Sequence, residues 1–233
     1  MNAYGSIRSF VLRAGRMTEA QQRDYDNLSS KWCIPFSQSH INYSDIFGNT
    51  GNVIVEIGFG MGQATSLIAE QNPDTNYIGI EVHRPGVGRL LGEIAKKNLS
   101  NLFIIEYDAV EVLETMIPDN SVQGFHVFFP DPWPKKKHHK RRLIKRPFTD
   151  TLCAKLACGG FIHMATDWEP YARFAMEELN ATAGLKNRYK GFAETNLQRP
   201  ETKFELKGKK AGRDIFELVY EKTDEQAAEN CRT

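Results

Sequence analysis

The residues of this 233-residue chain best suited to chemistry fall at four places. In Val53-Ile54-Val55-Glu56-Ile57-Gly58-Phe59-Gly60-Met61-Gly62, three glycines alternate behind a β-branched run and an acid. Glycines at such a turn permit φ > 0 and let a ligand come close to the main chain. Glu81 and Asp108 each follow a later apolar run, and Glu81 is placed to hold a ribose diol through two hydrogen bonds. Further on, Asp131 stands between Pro130 and Pro132, with Trp133 two residues away. A carboxylate on so stiff a backbone is a fixed hydrogen-bond acceptor beside a flat aromatic; the same residues also suit a rigid turn with Trp133 in the core. The fourth place is Lys135–Arg146, where eight of twelve residues are basic and none is acidic.

The elements that must carry these groups alternate. Val53–Ile57 reads as a strand leading into the glycine loop, and Met61, Ala64, Leu67 and Ile68 recur at helical spacing. Tyr77–Val82 and Leu102–Tyr107 read as the next strands, Pro85–Lys97 and Val110–Met116 as the helices after them, and Val122–Phe129 as a fourth strand. The pattern predicts helices over Leu143–Leu156 and Trp168–Leu179, strands at Phe161–Ala165 and Asp214–Glu221, and Lys203–Leu206 pairing beside the last strand. Thr166 with Glu169 fits a capping box. Strand and helix in succession argue for an α/β fold with a doubly wound, mostly parallel sheet. In an open sheet of this kind ligands bind beyond the carboxyl ends of the strands, where all four places fall. Residues 1–49 are expected to form a short, partly flexible N-terminal extension, 50–222 one domain, and 223–233 a polar tail.

Composition narrows the class. The chain is 41% hydrophobic and 25% charged, as a globular domain is, and no apolar run approaches the roughly 20 residues that span a bilayer. The N-terminus lacks a secretory leader's apolar stretch, so a cytoplasmic location is expected. Four cysteines form no C-x-x-C pair, and a metal site is not expected. Net charge is only +1, so the basic residues matter through their distribution: Lys135–Arg146, Arg8 with Arg13 and Arg16, and Lys207, Lys209, Lys210 and Arg213.

The glycine spacing resembles the first motif of class I methyltransferases rather than the dinucleotide fingerprint, whose third glycine would stand at Gln63. The whole order EIGFGMG, GIEVHRPGVG, FFPDPWPKKKHHKRR, HMATDWEPYA and RPETKFE is similar to the bacterial tRNA (guanine-N7-)-methyltransferase family, from about Arg8 to Lys222. That resemblance implies a Rossmann-like class I methyltransferase with an antiparallel C-terminal strand, using S-adenosylmethionine to methylate guanosine 46 in the tRNA variable loop. It implies cofactor binding by Glu56, Gly58, Gly60, Gly62, Glu81, Asp108 and Asp131, with Asp108 reading the adenine amino group and Asp131 catalytic. Lys135, Asp167, Thr202, Lys203, Phe204 and Glu205 would contact the substrate, and Lys137, His138, His139, Lys140, Arg141 and Arg142 the RNA. The partner expected is tRNA, with no obligatory protein partner, and the chain itself is expected to be a monomer or homodimer.

Guanine N7 carries a lone pair and no proton, so attack needs no general base, and catalysis is mostly alignment. A carboxylate accepting from the guanine N1–H and N2–H would stabilise the cationic ring, a role for Asp131, shared with Asp167. Asp167 also suits a plain first-turn acid at a helix N-terminus. Three other readings share these residues: a nicotinamide-linked oxidoreductase, a methyltransferase of DNA, protein or small molecules, and a non-catalytic RNA-binding module.

Overall fold

A computed structural model describes residues 15–193, 200, 205–206 and 212–223. Its centre is a seven-stranded sheet: β1 Val53–Ile57, β2 Asn76–Ile80, β3 Leu102–Ile105, β4 Val122–Phe128, β5 Leu156–Thr166, β6 Leu185–Asn187 and β7 Phe216–Lys222. The order across the sheet is β3-β2-β1-β4-β5-β7-β6. Strands β1 to β5 run parallel, and β7 lies antiparallel to both β5 and β6. The strands after β1 step outward on one side and those after β4 on the other, so a crevice opens beyond Ile57 and Phe128, at the switch in strand order.

The helices are α1 Glu19–Trp32, α2 Tyr43–Phe47, α3 Gln63–Gln71, α4 Arg84–Lys97, α5 Ala109–Thr115, α6 Phe148–Lys155 and α7 Glu169–Asn180. One apolar cluster unites Val55, Ile80, Phe125, Ile162, Tyr171 and Leu179; a second gathers Phe59, Val87, Leu90, Ile104 and Phe128. The central strands are buried on both faces, which is why they read as continuous apolar runs.

Three expectations need correction. The helix expected from Leu143 begins only at Phe148. Pro147 cannot donate the N–H that a helix through it would need, and its ring disfavours helical backbone before it. The capping box at Thr166 is absent: Trp168 is the N-cap of α7, and the Thr166 hydroxyl accepts from the Trp168 N–H at 3.3 Å instead. Thr166 still pairs with Phe216 in the ladder, so the helix cannot start there. The strand beside β7 is β6, not Lys203–Leu206; Lys203 and Phe204 lie outside the described residues, and Glu205 and Leu206 are helical.

The polar N-terminal extension contains the 14-residue α1, opened by a full capping box between Thr18 and Gln21. It lies against α4, where the glycines make room. A Cβ on Gly88 would stand 2.5 Å from the Gln21 carbonyl oxygen, and one on Gly92 2.5 Å from an Asp24 oxygen. Tyr25 fastens the same helix inward by donating to Glu106 at 2.5 Å, and Arg84 reaches that carboxylate at 2.8 Å.

Candidate active site

The crevice holds a cleft of about 460 Å³. Residues 56–64 form one wall, the β2 end with Glu81 and Val82 another, and Tyr107, Ala109, Phe128 to Asp131 and Leu143 close it. Gly58, Gly60 and Gly62 all adopt positive φ, so the loop turns sharply and brings backbone to the cleft. Gly62 also caps α3, and the Ser66 N–H bonds to its carbonyl at 3.0 Å.

The acids are held differently. The Glu81 carboxylate accepts from the Gly60 N–H at 2.8 Å, the Val82 N–H at 2.7 Å and the His83 N–H at 2.9 Å, tying the glycine loop to the end of β2. Glu56 is only 5% exposed. Burial pushes its carboxyl up to about 7; the Thr65 hydroxyl opposes this and the Glu81 charge adds to it. Asp108 caps α5, accepting from the Val110 N–H at 2.8 Å, and its neighbours Tyr107 and Ala109 face the cleft. Behind Tyr107 the ring of Phe36 stacks at 3.8 Å between centroids.

The donor set selects the kind of ligand. Among the described residues, the lining includes the carboxylates of Glu56, Glu81 and Asp131 and no lysine, arginine or histidine. Such a wall favours a ligand carrying positive charge and hydroxyl donors. Dinucleotide binding is disfavoured by the glycine spacing.

Asp131 stands exposed at the rim. The residues bracketing its loop, Phe129 at φ 53° and Trp133 at φ 45°, lie in the left-handed region. Each such residue costs roughly 1–3 kcal/mol and persists only where its surroundings fix it. Here the Phe129 N–H donates to the Ala165 carbonyl at 2.7 Å, and the Arg141 guanidinium lies over the Trp133 ring at 5.0 Å. Lys135 begins a 3-10 turn, Lys136–Arg141, whose Lys136, Lys137 and Lys140 are exposed, as is Lys135 itself. His138 and His139 are half-buried, and His138 sits edge-on to Trp133. Local desolvation, with the charges of Lys137 and Arg141, lowers His138 below the ordinary imidazole value.

Arg142 departs from expectation. It is 3% exposed, turned inward beneath the run rather than toward solvent. Asp167, at the end of β5, pairs with Arg213 at 2.5 Å, a partner the sequence did not suggest. Glu205 is buried, while Thr202, Lys203 and Phe204 lie outside the described residues. Glu56, Glu81, Asp131 and the lysine turn thus gather at one crevice, and Asp167 follows the adjoining strand. Tyr107, Phe128 and Leu143 were not foreseen as lining; as isolated apolar residues they carry no pattern that separates a pocket wall from a core.

The methyltransferase signature of the sequence and a cleft walled for a cationic ligand find the same counterpart among known proteins. Residues 50–218 match a family model described as "Putative methyltransferase". A tRNA (guanine-N(7)-)-methyltransferase from Chromobacterium violaceum is 49% identical over 92% of this chain and 95% of its own length. The chain belongs to the tRNA (guanine-N7-)-methyltransferase family. Relatives of the same description from Neisseria meningitidis serogroup C, 49% identical over 93% of this chain and 91% of their own, and from Nitrosospira multiformis, 45% identical over 93% and 94%, support this membership. Among solved structures, the 16S rRNA methyltransferase KamB superposes with a TM-score of 0.55 at 17% identity, over 80% of this chain and 95% of that one. The aminoglycoside resistance methyltransferase NpmB1 gives 0.55 at 16%, over 81% and 95%. At such identities these two speak for the fold alone: class I, Rossmann-like.

Proposed function

We propose that this chain transfers the methyl group of S-adenosylmethionine to N7 of guanosine 46 in the variable loop of tRNA, leaving N7-methylguanosine and S-adenosylhomocysteine. The observation that carries this reading is the acid-lined cleft with Asp131 on its rim and four exposed lysines, Lys135, Lys136, Lys137 and Lys140, immediately beyond. Membership of the family supplies the substrate class.

The cofactor supplies a methyl carbon already activated by a sulfonium. Glu56 holds its ammonium group and Glu81 its ribose hydroxyls, while Asp108 accepts from the adenine amino group. Gly58, Gly60 and Gly62 keep the loop backbone close. On the substrate side, N7 forms the new bond with its own lone pair as the carbon–sulfur pair returns to sulfur, and no proton leaves N7. The positive charge moves onto the purine, where Asp131 accepts from the guanine N1–H and N2–H and stabilises it. Asp167 shares in holding the base, with Lys135 and Thr202, Lys203, Phe204 and Glu205 around it. Lys137, His138, His139, Lys140 and Arg141 face the RNA, which is read by shape with the target base drawn from its stack. No described helix is long and apolar enough to cross a membrane, and a cytoplasmic enzyme fits that.

The test is incubation with labelled S-adenosylmethionine and unmodified tRNA transcript, followed by nucleoside analysis. Label should appear in N7-methylguanosine and vanish when guanosine 46 is replaced by adenosine; label in another nucleoside refutes the assignment. Asp131→Ala should bind S-adenosylhomocysteine nearly as the parent does and lose transfer by roughly 10²-fold or more. Normal turnover in that variant removes Asp131 from the centre.

A further inference from the structure

The segment Pro130–Pro134 is unusual in what it lacks. Pro130, Pro132 and Pro134 have no N–H, so only Asp131 and Trp133 can donate from the backbone. The Pro132 carbonyl oxygen is then a point where a donor from elsewhere can fasten the loop.

That donor is Arg142. Its Nε donates to the Pro132 carbonyl at 3.1 Å, one residue from Asp131. Its Nη2 meets the His139 Nε2 at 3.2 Å, and its backbone N–H donates to the His139 carbonyl at 3.0 Å. The guanidinium also lies over the rings of Tyr171, at 5.1 Å, and Phe174, at 4.8 Å, both on α7. Tyr171 is fully buried, and its hydroxyl accepts from the Ile144 N–H at 3.1 Å, holding the chain just after Arg142 to the same helix.

One cation thus joins three parts: the loop of the acid, the basic turn and α7. The geometry uses what a guanidinium has and an ammonium lacks, in-plane donors in fixed directions and flat faces that take aromatic rings. We infer that Arg142 is a positioning residue for methyl transfer, aiming Asp131 by holding Pro132 against α7, and not a phosphate contact like its lysine neighbours. The inference rests on the placing of Asp131 at the reaction centre.

Arg142→Met and Arg142→Lys test it in the full-length chain, beside Asp131→Ala. Both Arg142 variants should bind S-adenosylhomocysteine within about threefold of the parent. With unmodified tRNA, Arg142→Met should lose roughly a hundredfold in kcat, the scale of an ångström's misplacement, while its KM for tRNA changes less than about threefold. The salt dependence of tRNA binding should be unchanged, since no phosphate contact is lost. Arg142→Lys, with its charge kept, should still lose at least about tenfold in kcat. A loss confined to KM with a flatter salt slope would overturn the inference and return Arg142 to the RNA surface. Failure of both variants to bind S-adenosylhomocysteine would overturn it too, making Arg142 a folding residue. If Asp131→Ala is inactive while Arg142→Met turns over normally, positioning alone fails; if Asp131→Ala is active, the placing of the centre fails first.

Discussion

Glu56→Gln separates what a buried carboxylate costs the empty protein from what it gives a ligand. Glu56, the penultimate residue of β1, is 5% exposed, and burial drives its carboxyl up to about 7. The unfolded chain holds the same group at the ordinary glutamate value. Between roughly pH 4 and pH 7 the folded state therefore binds more protons than the unfolded one, and stability falls as pH rises through that window. Above it, ionised Glu56 costs the empty protein about 3 kcal/mol. Glutamine does not titrate, so the variant should gain on the parent by about 2 kcal/mol between about pH 5 and pH 8. Urea unfolding of the ligand-free proteins at both pH values reads this as a widening difference in midpoint at constant slope. Ligand reverses the ranking. A bound ammonium group needs the carboxylate ionised, so the parent's affinity for S-adenosylhomocysteine should fall as pH drops below 7, while the variant binds weakly with a flat profile. A stability gap that ignores pH refutes the buried-charge argument. Equal affinities refute the ammonium assignment.

Two further perturbations probe the cleft and the surface beyond it. A Cβ on Gly86 would stand 1.9 Å from the Gly60 carbonyl oxygen, so Gly86→Ala must displace either α4 or the glycine loop. It should cost about 3 kcal/mol and weaken S-adenosylhomocysteine binding at least about tenfold, whereas Gly191→Ala, with open space around it, should stay within about 0.5 kcal/mol of the parent. Calorimetric titration and thermal unfolding decide; unimpaired ligand binding by Gly86→Ala removes the contact from the site. Replacing the exposed Lys136, Lys137 and Lys140 by Ala should lower the slope of log affinity for tRNA against log salt by about 2, and an unchanged slope dismisses the lysine turn as a phosphate contact.

How far sequence reached depended on whether a feature is local. β1 came out residue for residue, and its neighbours to within a few positions, because strands buried on both faces leave an unbroken apolar run. The glycine loop, Glu81 and the proline-flanked Asp131 were visible for a like reason: each depends on backbone chemistry written into adjacent residues. What escaped depends on distant partners. Nothing in the polar composition of α1 shows that it docks on α4; the signal lay in the other helix, where Gly88 and Gly92 stand four apart on one face. Arg142 was read as one more charge in a run, because a one-dimensional count cannot tell an arginine facing water from one over Tyr171 and Phe174. Asp167 and Arg213 meet across 46 residues, beyond any local pattern.

The arrangement sorts two ligands by sign. Among the described residues, carboxylates and no basic side chains line the cleft, and lysines crowd the rim a few residues past Asp131. A cationic cofactor is favoured inside and a polyanion outside, so neither competes for the other's place. Methyl transfer as proposed moves one positive charge outward across that boundary, from sulfonium to purine. Asp131 stands at the boundary, and its carboxylate faces a cation before the step and after it. A carboxylate so placed need not move or change protonation, which is the condition for fixed dipoles and charges to act without reorganising. Three prolines, two residues held at positive φ and a buried arginine all restrict that loop, as the proposed role asks.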